Sequence, residues 1–397
     1  MKDKITNHHI RLRTIIILMI ITSIVSGLTS GVIVYSSYSK NAGISYKTIN
    51  EDPSLKEFLE VYSQITNEYY EDVNKTELIK AAISSMLNYL DDSYTTYLND
   101  NQTKQLDKSL NGSYKGIGVL ISDRKIVEVF DDSPAKSAGV LVNDIIIKVN
   151  NEDVSKKTSD EISTMIRSTN QKEVLLTVER NGKEIELVIT LSTLDVPVVD
   201  YKVIDNTSIG YIELSSFSST AAKQVEKVLK EFENKNVTSL IIDLRSNTGG
   251  YLSAAEDIAS LFLEKGKIIY SLKTKNDELV VKDKTASKTN YKIIVLIDNN
   301  TASASEILAA SLKESYGATI VGKTSFGKGK VQQTMRLKDG SMAKYTSAKW
   351  FTPNGSSIDG KGIIPDFDVD LLVEKDEGTK TVKVTDSQLN KAIELLS

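Results

Sequence analysis

Apolar positions follow three successive patterns along the chain. From Pro53 to about Leu110 they recur at helical spacing, in "LKEFLEVYSQITNEYY", in "TELIKAAISSMLNYL" and, after a polar stretch, in "KQLDKSL". These segments predict amphipathic helices, whose ordinary role is packing. At "GSYKGIGVLIS" the period changes to two. Strands follow in "KIVEVF", "DIIIKVN", "EVLLTVER" and "EIELVITL", with one helix, "SDEISTMIRS", between them. Beyond "LDVPVV" the strands "SIGYIEL", "VTSLIIDL", "KIIVLID" and "ATIVG" alternate with the helices "STAAKQVEKVLKEFEN", "YLSAAEDIASLFL" and "SEILAASLKES". That alternation predicts a largely parallel sheet with crossover helices.

The expected organisation is therefore multidomain α/β. A helical region covers 50–110, a small mostly β domain 111–192 and a mixed α/β core 195–370. The segment 371–397 reads as a polar linker, "EKDEGTKTVK", followed by a short helix, "DSQLNKAIELL". No internal repeat is visible.

Residues 1–35 form a separate segment. Ile15 to Val34 runs twenty residues without a charge, about the length a helix needs to cross a bilayer. Lys2, Lys4, Arg11 and Arg13 precede it, which favours a cytoplasmic amino terminus and an exported remainder. A cleaved signal peptide is the rival reading. "SGLTSG" supplies small residues, but no A-x-A site follows and the apolar run is long, so an uncleaved single-pass anchor is the expectation.

Composition sharpens this. Hydrophobic content of 40% and charge of 26% suit globular domains. The net charge is −4, and because the first thirteen residues are basic the exported part is more acidic still. No basic stripe is visible, which argues against a nucleic-acid partner. There is no cysteine, and both histidines, His8 and His9, precede the span. An exported portion without either residue type cannot assemble a Ser-His-Asp triad, a Cys-His pair or a histidine zinc site. Its general base has to be a carboxylate, a lysine or a tyrosine.

Two segments carry candidate chemistry. "DNNTASASEILAA" places Thr301, Ser303 and Ser305 on alternate positions where a strand feeds a helix. Capping accounts for one such hydroxyl; three, separated by alanines, exceed what a cap needs. Downstream, "ATIVGKTSFGKGKVQQTMRL" carries Lys323, Lys328 and Lys330. "GKTSFGK" matches the spacing of a phosphate loop, but Gly329 stands where Ser or Thr belongs, and "VQQTMRL" reads as a strand rather than the required helix. For a serine without histidine, the remaining option is a lysine base. Such a lysine needs its pKa depressed, mostly by desolvation. Gly327 and Gly329 let the Lys328 backbone pack closely, Phe326 can exclude water, and Gln332 shares a strand face with Lys328 and can orient its amine. Gly249 and Gly250 in "DLRSNTGG", with the Ala304 N–H at a helix start, offer oxyanion donors; a tight turn is the plainer use of a glycine pair.

In "NNTASASEILAA", "GKTSFGKGKVQQ" and "LIIDLRSNTGG" the chain resembles the C-terminal processing peptidases, or tail-specific proteases, which use a serine/lysine dyad. The resemblance covers nearly everything after residue 50, including "SMLNYLDDSYTTYL" and a PDZ-like stretch, "GSYKGIGVLIS" to "VEVFDDSPAKSAGVLVNDIIIKVNN". It implies Ser303 as nucleophile with Ser305 a neighbour, Lys328 as general base, Gln332 as orienting residue, and Ala304 with the Gly249/Gly250 turn as oxyanion donors. In two places the sequence departs from the family pattern. The Asp91–Asp92 pair stands where Asp-Pro is usual, and "VND" at 142–144 replaces Pro-Gly-Asp; neither falls on the expected chemistry.

A PDZ domain receives an extended peptide along a sheet edge and holds its terminal carboxylate on backbone N–H groups, here Gly116, Ile117 and Gly118. Apolar lining favours substrates with apolar carboxy termini. Arg167 either senses peptide or is a solvated helix-end arginine, and Lys115 is similarly ambiguous. The expected function is that of a membrane-anchored, extracytoplasmic serine endopeptidase acting on protein carboxy termini, with neither metal nor organic cofactor. An inactive anchored scaffold is the alternative. The sequence leaves oligomeric state open, a homo-oligomer included.

Overall fold

The computed structural model describes residues 52–169, 171–285, 289–375 and 382–397. The expected membrane span, the basic tail and both histidines lie outside them. Among the described residues no helix is long and apolar enough to cross a membrane. The chain divides at Ala82/Ile83 into two units.

In the first unit, α1 (Pro53–Glu68) starts at Asp52, whose Oδ1 accepts from Ser54 N at 3.0 Å, with Pro53 at the first helical position. Contrary to the packing role expected of it, α1 buries no residue, and Phe58, Leu59, Val61 and Ile65 are exposed. Helix α2 (Lys75–Tyr89), which runs across the division, buries none either.

The second unit opens with β1 (Thr96–Leu98) and α3 (Asp100–Asn111). Asn99 and Gln102 cap α3 reciprocally, at 2.9 and 3.0 Å. Gly112, at φ 61°, ends it.

The β domain follows as β2 (Ser113–Gly116), β3 (Val119–Ser122), β4 (Lys125–Val129), α4 (Pro134–Ser137), β5 (Ile145–Val149), β6 (Glu152–Asp153), α5 (Ser159–Ser168), β7 (Glu173–Arg180), β8 (Lys183–Thr190) and β9 (Ser192–Asp195). Its antiparallel sheet runs β3-β4-β5-β7-β8, which leaves β3 as an edge, and β2 pairs with β9. Ile126, Ile146, Ile162, Leu176 and Ile189 fill the core. Thr158 and Glu161 cap α5, and its spacing buries Ile162 and Ile166. Asp144, in one of the departing positions, is buried and accepts Arg180 through both oxygens at 2.7 Å.

The core then runs β10 (Val199–Val203), β11 (Ile209–Leu214), α6 (Ala221–Asn234), β12 (Ser239–Asp243), α7 (Leu252–Ala259), β13 (Ile268–Thr274), β14 (Glu278–Lys282), β15 (Lys292–Ile297), α8 (Ala304–Ser311), β16 (Thr319–Gly322), β17 (Lys330–Arg336), β18 (Met342–Phe351) and β19 (Phe367–Asp368). The main sheet, β10-β11-β12-β15-β16-β19, is parallel except at β10. Alternating residues serve its two faces. Leu240, Ile242, Ile293 and Val295 pack with α6, α7 and α8, whereas Ile209, Tyr211, Ile241, Ile294 and Leu296 pack with Ala392, Leu389 and Ile393. Those last residues belong to α9 (Ser387–Leu396), so the carboxy-terminal helix covers one face of the sheet. The segment expected as a linker pairs at its ends, as β20 (Leu372–Lys375) with β21 (Val382–Thr385). A second sheet, with order β1-β18-β13-β14 and with β17 on β18, was not foreseen.

Candidate active site

Strands β12 and β15 are parallel neighbours, so their carboxyl ends deliver two turns to one place, as expected of such sheets. Asn247, buried in the first turn, fastens them together. Its carbonyl accepts from Ala302 N at 3.1 Å and Ser305 Oγ at 2.9 Å, its Oδ1 accepts from Gly249 N at 2.9 Å, and its Nδ2 donates to Leu214 O at 2.5 Å. Thr301 Oγ1 donates to Leu244 O at 2.8 Å. Two of the three clustered hydroxyls are thus buried and committed to holding backbone. The Ser303 hydroxyl is partly exposed, and apart from its place in the capping box with Glu306 at the start of α8 it makes no hydrogen bond among the described residues.

Ser303 has φ 59° and ψ −119°, a conformation that costs a non-glycine residue about 1–3 kcal/mol and requires support from its surroundings. Glu306 supplies much of that support. Its side chain is fully buried; Oε2 accepts from Ser303 N at 2.8 Å and from Lys328 N at 2.9 Å, and Oε1 accepts from Ser325 Oγ at 2.6 Å and Gly327 N at 2.7 Å. One carboxylate oxygen therefore joins the backbones of Ser303 and Lys328. Glu306 was missed in the sequence, although Ser303-x-x-Glu306 has the spacing of a capping box.

Lys328 lies in a closely packed loop. A Cβ on Gly327 would come within 2.7 Å of Gly362 N, and one on Gly329 within 2.6 Å of Asp359 Cβ, so both glycines permit the close approach expected of them. Trp350 Nε1 donates to Lys328 O at 2.8 Å. Burial holds the Lys328 amine below the ordinary lysine range; Lys344 adds to the effect and Glu306 opposes it. Phe326 does not provide the shield, being 55% exposed. The amine lies instead over the Tyr94 ring, 5.0 Å from its centroid.

Two residues of this neighbourhood are placed otherwise than expected. Gln332 makes no hydrogen bond to the Lys328 amine among the described residues: its Nε2 donates to Thr346 Oγ1 at 3.3 Å, because Thr346 is its cross-strand partner in the β17–β18 ladder. Asp92, set aside as remote from the chemistry, adjoins it. Its Oδ1 accepts from Lys330 Nζ at 2.9 Å, and its Oδ2 accepts from Thr95 Oγ1 at 2.7 Å and Thr346 Oγ1 at 2.5 Å. Burial works against the Asp92 charge, but the bonds from Thr346, Thr95 and Lys330 prevail and hold its carboxyl far below the usual range. No hydrogen bond joins Lys328 Nζ to Ser303 Oγ among the described residues.

The glycine turn packs directly on the serine. A Cβ on Gly249 would come within 2.8 Å of Ala302 O and 3.0 Å of Ala304 N. Of the two glycines, Gly249 already gives its N–H to Asn247. The N–H groups of Gly250 and Ala304 have no partner among the described residues. Just before the turn, the Arg245 guanidinium reaches Asp243 at 2.5 Å, Asp386 at 2.8 and 2.9 Å and Gln388 Oε1 at 3.0 Å, tying the start of α9 to the end of β12.

In the β domain, Gly116, Ile117 and Gly118 form the bend from β2 into the edge strand β3, beside α5. The Ile117 carbonyl accepts from Ala135 N at 2.9 Å. The Arg167 guanidinium, exposed in the last turn of α5, lies 5.3 Å from the centroid of the Tyr114 ring, which itself covers Gly116.

Family profiles and relatives define a serine-type peptidase with an attached PDZ domain. The profile of peptidase family S41 matches residues 208–369, a PDZ domain profile matches 125–180, and that of the activating protease CtpB N-terminal domain matches 33–103. The carboxy-terminal processing protease CtpB of Bacillus subtilis (strain 168) is 38% identical over 323 residues, covering 79% of this chain and 67% of that protein. CtpA of the same organism is 36% identical over 326 residues, covering 81% and 70%. A probable CtpA-like serine protease of Staphylococcus aureus (strain MRSA252) is 33% identical over 361 residues, covering 88% and 72%. The solved photosystem II D1 C-terminal processing protease superposes with a TM-score of 0.48 at 24% identity, over 82% of this chain and 88% of that one. The chain belongs to peptidase family S41, among its carboxy-terminal processing proteases.

Proposed function

We propose that this protein is a membrane-anchored, extracytoplasmic endopeptidase that engages the carboxy-terminal end of protein substrates and cleaves them with Ser303 and Lys328. The observation that carries the reading is the single Glu306 oxygen shared by the N–H groups of Ser303 and Lys328. A scaffold has no use for a strained serine and a buried lysine fastened to one carboxylate.

Ser303 Oγ attacks the scissile carbonyl carbon and passes its proton to the neutral Lys328 amine. The new oxyanion meets the N–H groups of Gly250 and Ala304, the two at this turn that are not already committed. Lys328 returns the proton to the leaving amine as the C–N bond breaks, and water then releases the acyl group from Ser303. Gln332 orients the amine once it is freed from Thr346. Upstream, the peptide adds a strand to β3, and its carboxylate meets the bend at Gly116–Gly118 with Arg167 beside it. Ile15–Val34 anchors the protein and leaves the rest outside the cell.

Degradation of an unfolded protein with an apolar carboxy terminus by residues 36–397 tests the chemistry. Wild-type cleavage, lost in Ser303→Ala and Lys328→Arg, is the expected result, since guanidinium does not deprotonate. An active Lys328→Arg sinks the base assignment, and wild-type silence favours a scaffold. The anchor is tested by fractionation: the full chain should pellet with membranes and residues 36–397 should not.

A further inference from the structure

The Lys328 ammonium has no hydrogen-bond acceptor among the described residues. What it has is the face of Tyr94, with the centroid 5.0 Å away, inside the range of about 6 Å over which an aromatic ring attracts a cation. The same ring also receives Lys330 Nζ at 5.6 Å. Lys330 has a counter-ion in Asp92, and Lys328 makes no salt bridge among the described residues.

The ring cannot follow the lysine if the lysine moves. Its loop is fastened on one side by Asp92, through Lys330, Thr95 and Thr346, and by Thr346 N donating to Thr95 Oγ1 at 3.1 Å. On the other side β1 pairs with β18, Thr96 opposite Lys344. Thr346 also accepts from Gln332. One loop thus bears on the amine directly and on its expected orienting residue through a single hydroxyl.

We propose that Tyr94 is a positioning residue for the base: its ring holds the charged Lys328 side chain away from Ser303, and the amine engages the serine only on leaving the ring. The inference rests on the serine/lysine reading of the site. The ring attracts only a cation, so losing the proton and leaving the ring are coupled. Five other charges face this ring or this amine: Glu306 from α8, Lys344 from β18, Lys330 from β17, and Asp92 and Asp359 from the flanking loops. Burial and Lys344 disfavour the ammonium, whereas the ring favours it. Tyr94→Leu keeps the apolar cover and removes the ring's attraction; Tyr94→Phe keeps both.

The test is competitive acetylation of Lys328 across pH in the full chain carrying Ser303→Ala, read by peptide mass spectrometry. Tyr94→Leu should lower the midpoint for Lys328 by about one pH unit, with Tyr94→Phe close to the parent. In the active enzyme Tyr94→Leu should raise kcat near neutral pH by up to about tenfold with KM unchanged, because more of the lysine is neutral. An unmoved midpoint in Tyr94→Leu, an equal shift in Tyr94→Phe, or a folded but inactive Tyr94→Leu overturns the proposal. Tyr94→Met replaces the leucine variant if thermal melting shows that the latter fails to fold. Failure of the dyad reading shows separately, as activity surviving in Lys328→Arg, whatever the labelling gives.

Discussion

Replacing Glu306 by glutamine exchanges one acceptor oxygen for a donor at a place where all four partners donate. With the amide nitrogen toward Ser325 and Gly327, the serine hydroxyl can turn to accept, and only Gly327 N–H is left facing a donor. With the nitrogen toward Ser303 and Lys328, two backbone N–H groups lose their partner. A buried unmet N–H costs about 1–3 kcal/mol, so the first arrangement prevails and Glu306→Gln should lose about that much stability. Glu306→Ala strips three backbone N–H groups and approaches the whole stability of an ordinary domain, about 5–15 kcal/mol. Activity should fall further than stability does, because Ser303 is then free to relax from its strained φ; a misplacement of about 1 Å is enough for roughly a hundredfold loss. Urea unfolding gives the first quantity and kcat/KM on a peptide substrate the second. A glutamine variant equal to wild type in both would refute the claim that this carboxylate holds the site together.

With the Lys328 amine depressed by burial, kcat/KM should rise with pH through a value below that of ordinary lysine, and a flat profile down to about pH 5 would contradict this. Stability should rise with pH in the window between that lowered value and the ordinary one, where the unfolded chain binds the proton more tightly, and Lys328→Met should remove the rise in an unfolding series. Arg245→Ala leaves Asp243 buried and uncompensated, for an expected loss of about 3–5 kcal/mol in urea unfolding; Arg245→Lys should restore little, lacking the fork that reaches both Asp243 and Asp386. Gly250→Ala would press its Cβ into the Phe217 carbonyl, so kcat should collapse; a fully active alanine variant would show that the turn is dispensable.

The helices and parallel strands were legible because each announces itself over its own few residues: Val225, Val228, Leu229 and Phe232 lie one helical turn apart, and all are buried on α6. The second sheet was not, since it joins β1, three residues long, to β18 far along the chain, and no local pattern encodes that pairing. The same distinction holds at the site. The serine cluster, the flanked lysine and the glycine pair could be picked out by residue type and spacing. Which hydroxyl stays free could not, because Asn247 and Leu244 decide it by accepting from Ser305 and Thr301. The position of the lysine amine depends on Tyr94 and that of Gln332 on Thr346, both contacts of the folded chain. Asp92 misled for the same reason: as a departure from the family pattern it looked peripheral until folding brought Lys330 and Thr346 to it.

The central claim is that a buried lysine draws a proton from Ser303. The most direct measurement is acylation of the enzyme by an activated peptide ester, followed by mass spectrometry across pH in wild type and in Lys328→Met. A single acyl group on Ser303, forming faster as pH rises and nearly absent from the methionine variant, is the expected result; acylation at Ser305, or an equal rate without the lysine, would contradict it.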